Sequence, residues 1–388
     1  MAKAATATAL DNEAWLLSAA AEVFDELRSG QRISLRDYAR QAWHVVEPAT
    51  PYIHGWHIDA ICDHLSAVTD GHILRLLINI PPRHMKSLLI SVFWPTWAWT
   101  RKPDIRWLYS SYSLSLSKRD SLKCRRVIDS PWYQERWGDV YQLASDQNEK
   151  LRFENDHSGY RLATSVAGTN TGEGGDIVVI DDPHNAKQAE SEAKREDALE
   201  WFDGTMSTRL NNPKTGAMVV VMQRVHERDV SGHILEQGGW EHLCLPAEYE
   251  PKPFVQMTSL GFKDPRTEPN ELLWPDRFGR PELDKLKASL GGYRSAGQLQ
   301  QRPAPADGGI FKRHWFKFWQ YRGQNLSPVV VRKADGTLHE CPVVTLPDSF
   351  DEQLQSWDLA FKDTNASAYV VGQVWGKVEA NKYLLDQI

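Results

Sequence analysis

The sequence predicts an α/β fold with a mostly parallel sheet that is covered by helices on both faces. Two observations support this. Short apolar runs of strand length recur through the first 245 residues, and segments of helical length separate them. Strands that alternate with helices favour parallel pairing, because each crossover helix returns the chain to the same edge of the sheet. The runs are continuously apolar, which indicates strands buried on both faces.

The elements are predicted in chain order. Residues 1–50 are expected to be helical, because "NEAWLLSAAAEVFDELRSG" has helical apolar spacing and ends in glycine. Buried strands are predicted in "HILRLLINI", "IRWLYSSYS", "DIVVIDD" and "AMVVVMQRV". Helices are predicted in "KSLLISVFWPTWAW", "SLSKRDSLKCRRVIDS" and "NAKQAESEAKREDALEWFDGTM", and a hairpin in "KLRFEN" with "GYRLATS".

The chain divides by texture into four parts. After the N-terminal helical segment 1–50, residues 51–245 carry the strand–helix alternation, and residues 246–345 are rich in Pro, Gly and aromatic clusters. A strand pattern restarts at residue 346 and runs to 388, in "EQLQSWDLAF", "AYVVGQVWG" and "KYLLDQI". A domain of that size is too small to fold alone. The sequence is therefore expected to be a fragment that stops inside its last domain.

Composition bounds the functional classes. A chain of 388 residues with 41% hydrophobic and 25% charged residues is typical of a globular protein with more than one domain. Its 45 basic and 51 acidic side chains give a net charge of −6, so any contact with DNA would need a local basic patch. The four cysteines lack the paired spacing of a zinc site. No apolar stretch reaches the length of a membrane span, and the N-terminus lacks the apolar core of a signal peptide.

The segment "IPPRHMKS", Ile80 to Ser87, has the spacing of a phosphate-binding loop without its glycines. Such a loop converges backbone N–H groups on phosphate at a helix N-terminus, and its lysine and hydroxyl serve phosphate and Mg²⁺. Ile80 and Met85 replace the two glycines, whereas Lys86 and Ser87 keep their places. Alone, a Lys-Ser pair at a helix start is more typical of an exposed turn, and Lys86 is expected to be an exposed side chain.

A second motif lies at the end of "DIVVIDD", where Asp181 and Asp182 follow an apolar strand. A carboxylate there can hold Mg²⁺, and its neighbour can polarise the water that attacks a phosphoryl group. An Asp-Asp-Pro turn explains the pair equally well alone. The two motifs together predict a nucleoside triphosphatase. Gln223 and Arg224, at the end of the fourth strand, are either a γ-phosphate sensor or an ordinary polar strand end.

These motifs resemble those of the large terminase subunit of tailed bacteriophages, the motor and nuclease that packages viral DNA. Five segments carry the resemblance in the family's order: "PPRHMKS", "GTNTGEGGDIVVIDDPH", "QRVHERD", "GQLQQRPAPADGGIFKRHWF" and "SWDLAFKDT" followed by "AYVVGQVWG". The resemblance implies a P-loop (RecA/ASCE-like) ATPase domain with a mostly parallel sheet over 51–245. A linker over 246–345 and the start of an RNase H-like nuclease domain over 346–388 would follow.

The resemblance implies roles for residues at the nucleotide. ATP would contact Pro82, Arg83, His84, Met85, Lys86, Ser87, Trp56 and His57. Trp56 and His57 lie in "GWHIDAI", where the family has an adenine-contacting motif, although a core aromatic and a capping histidine fit them as well. Arg83 would be catalytic and would stabilise charge on the γ-phosphate.

The remaining roles concern metal ions, the catalytic water and neighbouring subunits. Ser87 and Asp181 would hold Mg²⁺, and Asp182 would be catalytic in the place of the glutamate of many P-loop motors. Gln223 and Arg224 lie in the family's coupling motif, and Arg209 is a candidate arginine finger for a neighbouring subunit. Asp358 would be the first catalytic, metal-binding acid of the nuclease. Ala368 stands where many relatives carry an aspartate.

The activity implied is ATP-driven translocation of double-stranded viral DNA into the procapsid, with endonucleolytic cutting of concatemeric genomes. The cofactors would be ATP and Mg²⁺, with Mg²⁺ or Mn²⁺ for the nuclease. The partners would be viral DNA, the portal protein, the small terminase subunit and further copies in a ring, in the host cytoplasm, without a membrane and outside the mature virion. Two alternatives remain open: a host-type P-loop helicase or ATPase without nuclease activity, and a non-catalytic scaffold.

Overall fold

A computed structural model describes residues 33–166, 168, 172–251, 257–303, 313–332, 337–358 and 371–388. Its centre is an eight-stranded sheet in the spatial order β3-β4-β5-β2-β6-β7-β1-β8. The strands are β1 (Arg75–Asn79), β2 (Trp107–Ser111), β3 (Leu143–Asn148), β4 (Arg152–Asn155), β5 (Tyr160–Ser165), β6 (Ile177–Asp181), β7 (Ala217–Met222) and β8 (Glu241–Cys244). The six neighbouring strands β5-β2-β6-β7-β1-β8 pair in parallel. β3 and β4 pair antiparallel at one edge of the sheet. The predicted mostly parallel α/β fold is confirmed.

Helices connect the strands. They are α1 (Leu35–Val46), α2 (Trp56–Thr69), α3 (Trp94–Trp99), α4 (Leu114–Ile128), α5 (Pro131–Trp137), α6 (Glu192–Gly204), α7 (Val230–Gln237) and α8 (Arg280–Arg294). A π-helical turn, Leu88–Phe93, leads directly into α3. This continuous segment, Leu88–Trp99, is called the P-loop helix below, because it follows the loop Ile80–Ser87.

Two hydrophobic cores lie on the two faces of the sheet, because successive strand residues point to opposite sides. Leu76 and Ile78 of β1 face α1, α2, α4, α5 and the P-loop helix, where most of the buried tryptophans lie. Leu77, between them, faces α6 and α7. At roughly 25 cal/mol per Å² of buried apolar surface, these two layers are the main stabilising contribution to the sheet.

The remaining strands form three small sheets. β9 (Phe318–Gln320) pairs with β12 (Val343–Thr345), and β10 (Val329–Arg332) pairs with β11 (Leu338–Cys341). The third sheet is antiparallel and contains β13 (Glu352–Asp358), β14 (Val371–Val378) and β15 (Asn381–Gln387). None of the described helices is both long and apolar enough to cross a membrane.

The structure corrects several predicted elements. The helix predicted from Asn185 begins only at Glu192, because Ser191 is extended and residues 188–190 form a 3₁₀ turn. The strands β3 and β8 were not predicted, since "EHLC" of β8 is short and polar. The predicted hairpin is confirmed as β4 and β5. The N-terminal segment "NEAWLLSAAAEVFDELRSG" lies outside the described residues.

Candidate functional site

The loop Ile80–Ser87 connects the end of β1 to the P-loop helix. Parallel strands bring their carboxyl ends to one edge of the sheet, so this loop lies beside the ends of β6 and β7. Arg83 and Met85 have left-handed backbone conformations, with φ of 63° and 65°. Such conformations, which glycine adopts readily, are typical of loops that form anion-binding concavities. The loop therefore keeps a glycine-like backbone at Met85, where the P-loop pattern has a glycine.

Lys86 is buried, which corrects the expectation of an exposed loop side chain: its relative exposure is 7%. Its Nζ lies 2.8 Å from Oδ2 of Asp182. A buried ammonium needs a nearby anion, because desolvation disfavours the charged form. Asp182 is that anion.

Asp181 and Asp182 follow β6, and their surroundings differ. The hydroxyl of Ser91, in the P-loop helix, donates a 2.9 Å hydrogen bond to Oδ2 of Asp181. Oδ1 of Asp181 is buried without a hydrogen-bond partner among the described residues. Burial, and secondly the charge of Asp182, raise the pKa of Asp181 to about 7, whereas Lys86 and the Ser87 side chain lower it. An unpartnered buried carboxylate oxygen beside a serine hydroxyl fits a hard cation such as Mg²⁺, which prefers oxygen ligands.

Asp182 has a left-handed backbone, with φ of 49°. Its N–H donates to the carbonyl of Val221 in β7, and its carbonyl accepts from the N–H of Tyr112 after β2. These bonds from both neighbouring strands hold a conformation that costs a non-glycine residue about 1 kcal/mol or more. The two strands thereby fix the direction of the Asp182 carboxylate toward Lys86.

The backbone of Gln223 and the side chain of Arg224 have different partners, although the two residues are adjacent in sequence. The N–H of Gln223 lies 3.4 Å from Oδ1 of Asp182, and its side-chain Oε1 is buried without a partner among the described residues. The guanidinium of Arg224 instead bonds Asp229, at 2.9 Å from Nε to Oδ1, and the carbonyl of Glu227. The structure therefore brings Gln223 to the acidic pair and holds Arg224 in its own loop.

Trp56 and His57 lie at the start of α2, against a later segment of the chain. Trp56 stacks on Phe262, with ring centroids 6.2 Å apart. The ring of His57 lies 4.8 Å from Trp274 and 5.9 Å from His84 of the loop. Both ring nitrogens of His57 are buried without a partner in the described part of the chain, and burial lowers its pKa to about 3.

His84 completes the contact between this segment and the loop. Its ring stacks on Phe278 at 4.8 Å, and its Nδ1 donates a 2.9 Å hydrogen bond to the carbonyl of Pro82. Arg83 is exposed at the outer side of the same loop. The predicted ATP-contacting residues of the loop and of "GWHIDAI" thus lie together, and their contact with nucleotide stays a prediction.

Two further predicted residues are located by their backbone pairing. The carbonyl of Arg209 accepts a hydrogen bond from the N–H of Gly175, just before β6 begins. Arg209 therefore lies at the amino ends of the parallel strands, whereas Lys86 lies at their carboxyl ends. Arg209 cannot reach Lys86 of its own chain without a large rearrangement, and its role toward a neighbouring subunit stays a prediction. Asp358 ends β13, where its backbone pairs with Val371. Ala368 lies outside the described residues.

Sequence reasoning did not find two residues that contact the predicted ones. Asp229 is fully buried and accepts hydrogen bonds from the side chain of Arg224 and from the N–H groups of Val225 and His226. It is also the N-cap of α7, because it accepts from the N–H of Gly232. An aspartate just before an apolar helical run is a capping signal that the sequence contained. Ser91 had no such signal, because only the packing of the P-loop helix brings it to Asp181.

Comparison with known proteins gives structural likenesses at low identity. No protein-family model and no curated protein sequence matches the chain. The large terminase of a thermophilic bacteriophage is similar in one crystal form at 8% identity and a TM-score of 0.37, over 84% of this chain and 67% of that one. The complex of that terminase with ADP gives 9% identity and a TM-score of 0.38, over 91% and 67%. Its complex with ATP-γ-S gives 9% and 0.34, over 84% and 66%. Likeness at this level carries no functional assignment, which depends instead on the residues of the site.

Proposed function

We propose that this chain is an ATP-hydrolysing motor that moves double-stranded viral DNA into a procapsid. One observation carries the ATPase part: Lys86, which follows β1, lies 2.8 Å from Asp182, which follows β6, with Asp181 beside it. The P-loop lysine and the paired acids are therefore within reach of one triphosphate at the carboxyl edge of a parallel sheet, where α/β proteins bind their ligands. Their spacing in the sequence alone did not require this.

The chemistry follows from an exchange of partners at Lys86. A triphosphate carries more negative charge than the carboxylate of Asp182. Nucleotide binding would therefore draw the ammonium group of Lys86 away from that carboxylate. Asp182 would then be free to accept a proton from the attacking water. Ser87 and Asp181 are the residues that would hold Mg²⁺, which when bound neutralises charge between the phosphates. Gln223, whose N–H lies beside Asp182, would report on the γ-phosphate to the loop that follows β7.

The assignment to DNA packaging rests on the sequence motifs that resemble those of large terminases, above all "QRVHERD" and "SWDLAFKDT". A chain with net charge −6 would hold duplex DNA through local phosphate contacts, with affinity that falls steeply with salt. Its proposed partners are viral DNA, the portal protein, the small terminase subunit and further copies in a ring. Arg209, at the amino ends of the parallel strands, is the proposed arginine finger toward the next copy. Asp358 is proposed to belong to a C-terminal nuclease that uses Mg²⁺ or Mn²⁺.

The experiment that tests this proposal measures ATP hydrolysis with and without linear duplex DNA, and strand displacement on a forked duplex. We expect ATP hydrolysis that duplex DNA stimulates, with no unwinding. Lys86→Ala should reduce hydrolysis by about a hundredfold or more, because a preorganised charge at the developing phosphate charge is lost. Thermal unfolding should stay cooperative, with a small decrease in Tm because Asp182 loses its cation.

Lys194→Ala is the matched control, since Lys194 pairs with Asp197 on the exposed face of α6. It should hydrolyse ATP like the parent. Hydrolysis by Lys86→Ala within a few-fold of the parent would exclude the P-loop assignment. Unwinding of the forked duplex would favour a helicase over a packaging motor.

A further inference from the structure

The P-loop helix contains a proline whose effect reaches the acidic pair. In an α-helix the carbonyl of Ser91 would accept a hydrogen bond from the N–H of residue 95, but that residue is Pro95, which has none. The preceding π-helical turn also directs the N–H of Trp94 to Leu89 rather than to Ile90. The carbonyl of Ile90 therefore lacks a helical donor, the carbonyl of Ser91 lacks its α-helical donor, and both residues are buried. Buried carbonyl groups require other partners.

Side chains from three other elements supply those partners. The hydroxyl of Tyr109 in β2 donates to the carbonyl of Ile90 at 2.9 Å. The carbonyl of Ser91 accepts from Nη2 of Arg161 in β5 and from the thiol of Cys124 in α4, both at 3.1 Å. Arg161 also lies over the ring of Tyr109, at 4.2 Å from its centroid. All three donors are at most 2% exposed.

This arrangement fixes Ser91 where its hydroxyl reaches Oδ2 of Asp181. Since Ser91 occupies Oδ2, Oδ1 is the oxygen that remains without a partner among the described residues. The hydrogen bond also fixes the rotation of the carboxyl group. Ser87, the N-cap of the same helix, lies about one turn before Ser91.

We propose that Ser91 is a positioning residue that orients Asp181 for a divalent cation, and that Pro95 creates the need for the buried bonds that hold Ser91. The inference rests on the proposed function, because it assumes that Asp181 meets the cation of a bound nucleotide. It predicts that Ser91 contributes to the part of nucleotide binding that depends on Mg²⁺. It predicts no contribution to the part that Lys86 and the loop backbone supply without metal.

The test measures the dissociation constant of a fluorescent ATP analogue with Mg²⁺ and with EDTA, and compares the ratio of the two constants. In Ser91→Ala the advantage that Mg²⁺ confers should decrease about tenfold, as expected for a lost hydrogen bond to a charged group. The affinity measured in EDTA should not change. Ser91→Cys should lose less, because a thiol is a weak donor that keeps the shape of the side chain.

Ser121→Ala is the matched control, because the buried hydroxyl of Ser121 has no partner among the described residues. It should keep the full ratio. An unchanged ratio in Ser91→Ala, or equal weakening with Mg²⁺ and with EDTA, would overturn the positioning role and leave the ATPase proposal intact. If Ser91→Ala does not fold, an unchanged ratio in Ser91→Cys would overturn the role. A parent chain that binds no ATP analogue under either condition would overturn the proposed function itself.

Discussion

Asp182 combines two features at the scale of a single residue: a left-handed backbone and an ion pair with buried Lys86. The ion pair supplies the anion that buried Lys86 needs, and the strained backbone directs the carboxylate toward it. Asp182 therefore has a defined geometry in the site. Isosteric substitution can separate the proposed roles of Asp181 and Asp182.

We expect Asp182→Asn to keep Mg²⁺-dependent binding of ATP and to lose turnover, because an amide cannot accept the proton of the attacking water. Asp181→Asn should instead weaken the part of binding that depends on Mg²⁺, because it removes a charged oxygen ligand. Binding is measured by titration with and without EDTA, and turnover by phosphate release. Equal losses of binding in both variants would contradict this division.

His57 should make the stability of the chain depend on pH. Its folded pKa of about 3 lies below the unfolded value of about 6.5, because burial disfavours the charged ring. The unfolded chain therefore binds more protons, so His57 contributes its full stability above pH 6.5 and loses it as the pH falls toward 3. Between pH 7 and pH 5 the loss is about 2 kcal/mol. His84, with a pKa of about 4 for the same reason, adds a similar loss.

His57→Leu should remove this contribution. Between pH 7 and pH 5 the free energy of unfolding of the variant should therefore decrease by about 2 kcal/mol less than that of the parent. Urea denaturation at both pH values measures it. His72→Leu controls for the loss of a histidine at an exposed position. An identical pH dependence in His57→Leu and the parent would mean that the ring of His57 becomes hydrated in the folded chain.

Sequence reasoning found at this scale the residues that a strand end or a helix start identifies. Asp181, Asp182 and Lys86 follow or precede apolar runs, and the structure brings them together. It could not find Ser91 or Arg161, because their contacts join positions far apart in the chain. The sequence also could not show that Gln223 and Arg224 have different partners, since only the fold shows that the guanidinium of Arg224 pairs with Asp229.

At the scale of elements, the turn between β7 and α7 is held by one carboxylate. Asp229 caps α7 through the N–H of Gly232 and pairs with Arg224, whose side chain is 9% exposed. Removing one member of a buried pair leaves the other charge uncompensated, which costs about 3–5 kcal/mol. This turn follows Gln223, so its rigidity also fixes the proposed sensor.

We therefore expect Asp229→Ala to lower the free energy of unfolding by about 3–5 kcal/mol, measured by urea denaturation. Asp203→Ala is the control, because Asp203 pairs with His233 between α6 and α7 and is 48% exposed. That change should cost less than about 1 kcal/mol. A similar small loss in Asp229→Ala would show that water replaces the carboxylate at Arg224.

The predictability of elements followed their burial and length. β1, β2, β6 and β7 were predicted because strands buried on both faces are continuous apolar runs. β8 carries two polar residues in four and forms because β1 offers it a parallel edge. The π-helical turn of the P-loop helix was not predicted for a related reason. The carbonyls of Ile90 and Ser91 accept hydrogen bonds from side chains that are distant in the sequence.

At the scale of the whole molecule, the last described sheet bears on nuclease activity. Asp358 of β13 pairs with Val371, and Asp386 of β15 pairs with Val374, so β14 separates the two acids. Two strand spacings of about 4.8 Å separate the acids by about 10 Å across the sheet. Their partners on β14, Val371 and Val374, differ by three residues, which adds about 10 Å along the strand, so the two backbones are about 14 Å apart. Two-metal nucleases hold their ions about 4 Å apart with several carboxylates. These two acids alone therefore do not form such a cluster.

We expect the 388-residue chain to hydrolyse ATP without nicking supercoiled plasmid DNA, with either Mg²⁺ or Mn²⁺. One or two separated carboxylates cannot offset the mutual repulsion of two divalent ions. Conversion of supercoiled to open-circular plasmid on an agarose gel measures nicking, and ATP hydrolysis by the same preparation shows that the chain is folded. Asp386→Ala serves as the comparison for Asp358→Ala. Metal-dependent nicking by the parent that disappears only in Asp358→Ala would show that Asp358 recruits further acids, and that the catalytic cluster is complete within this chain.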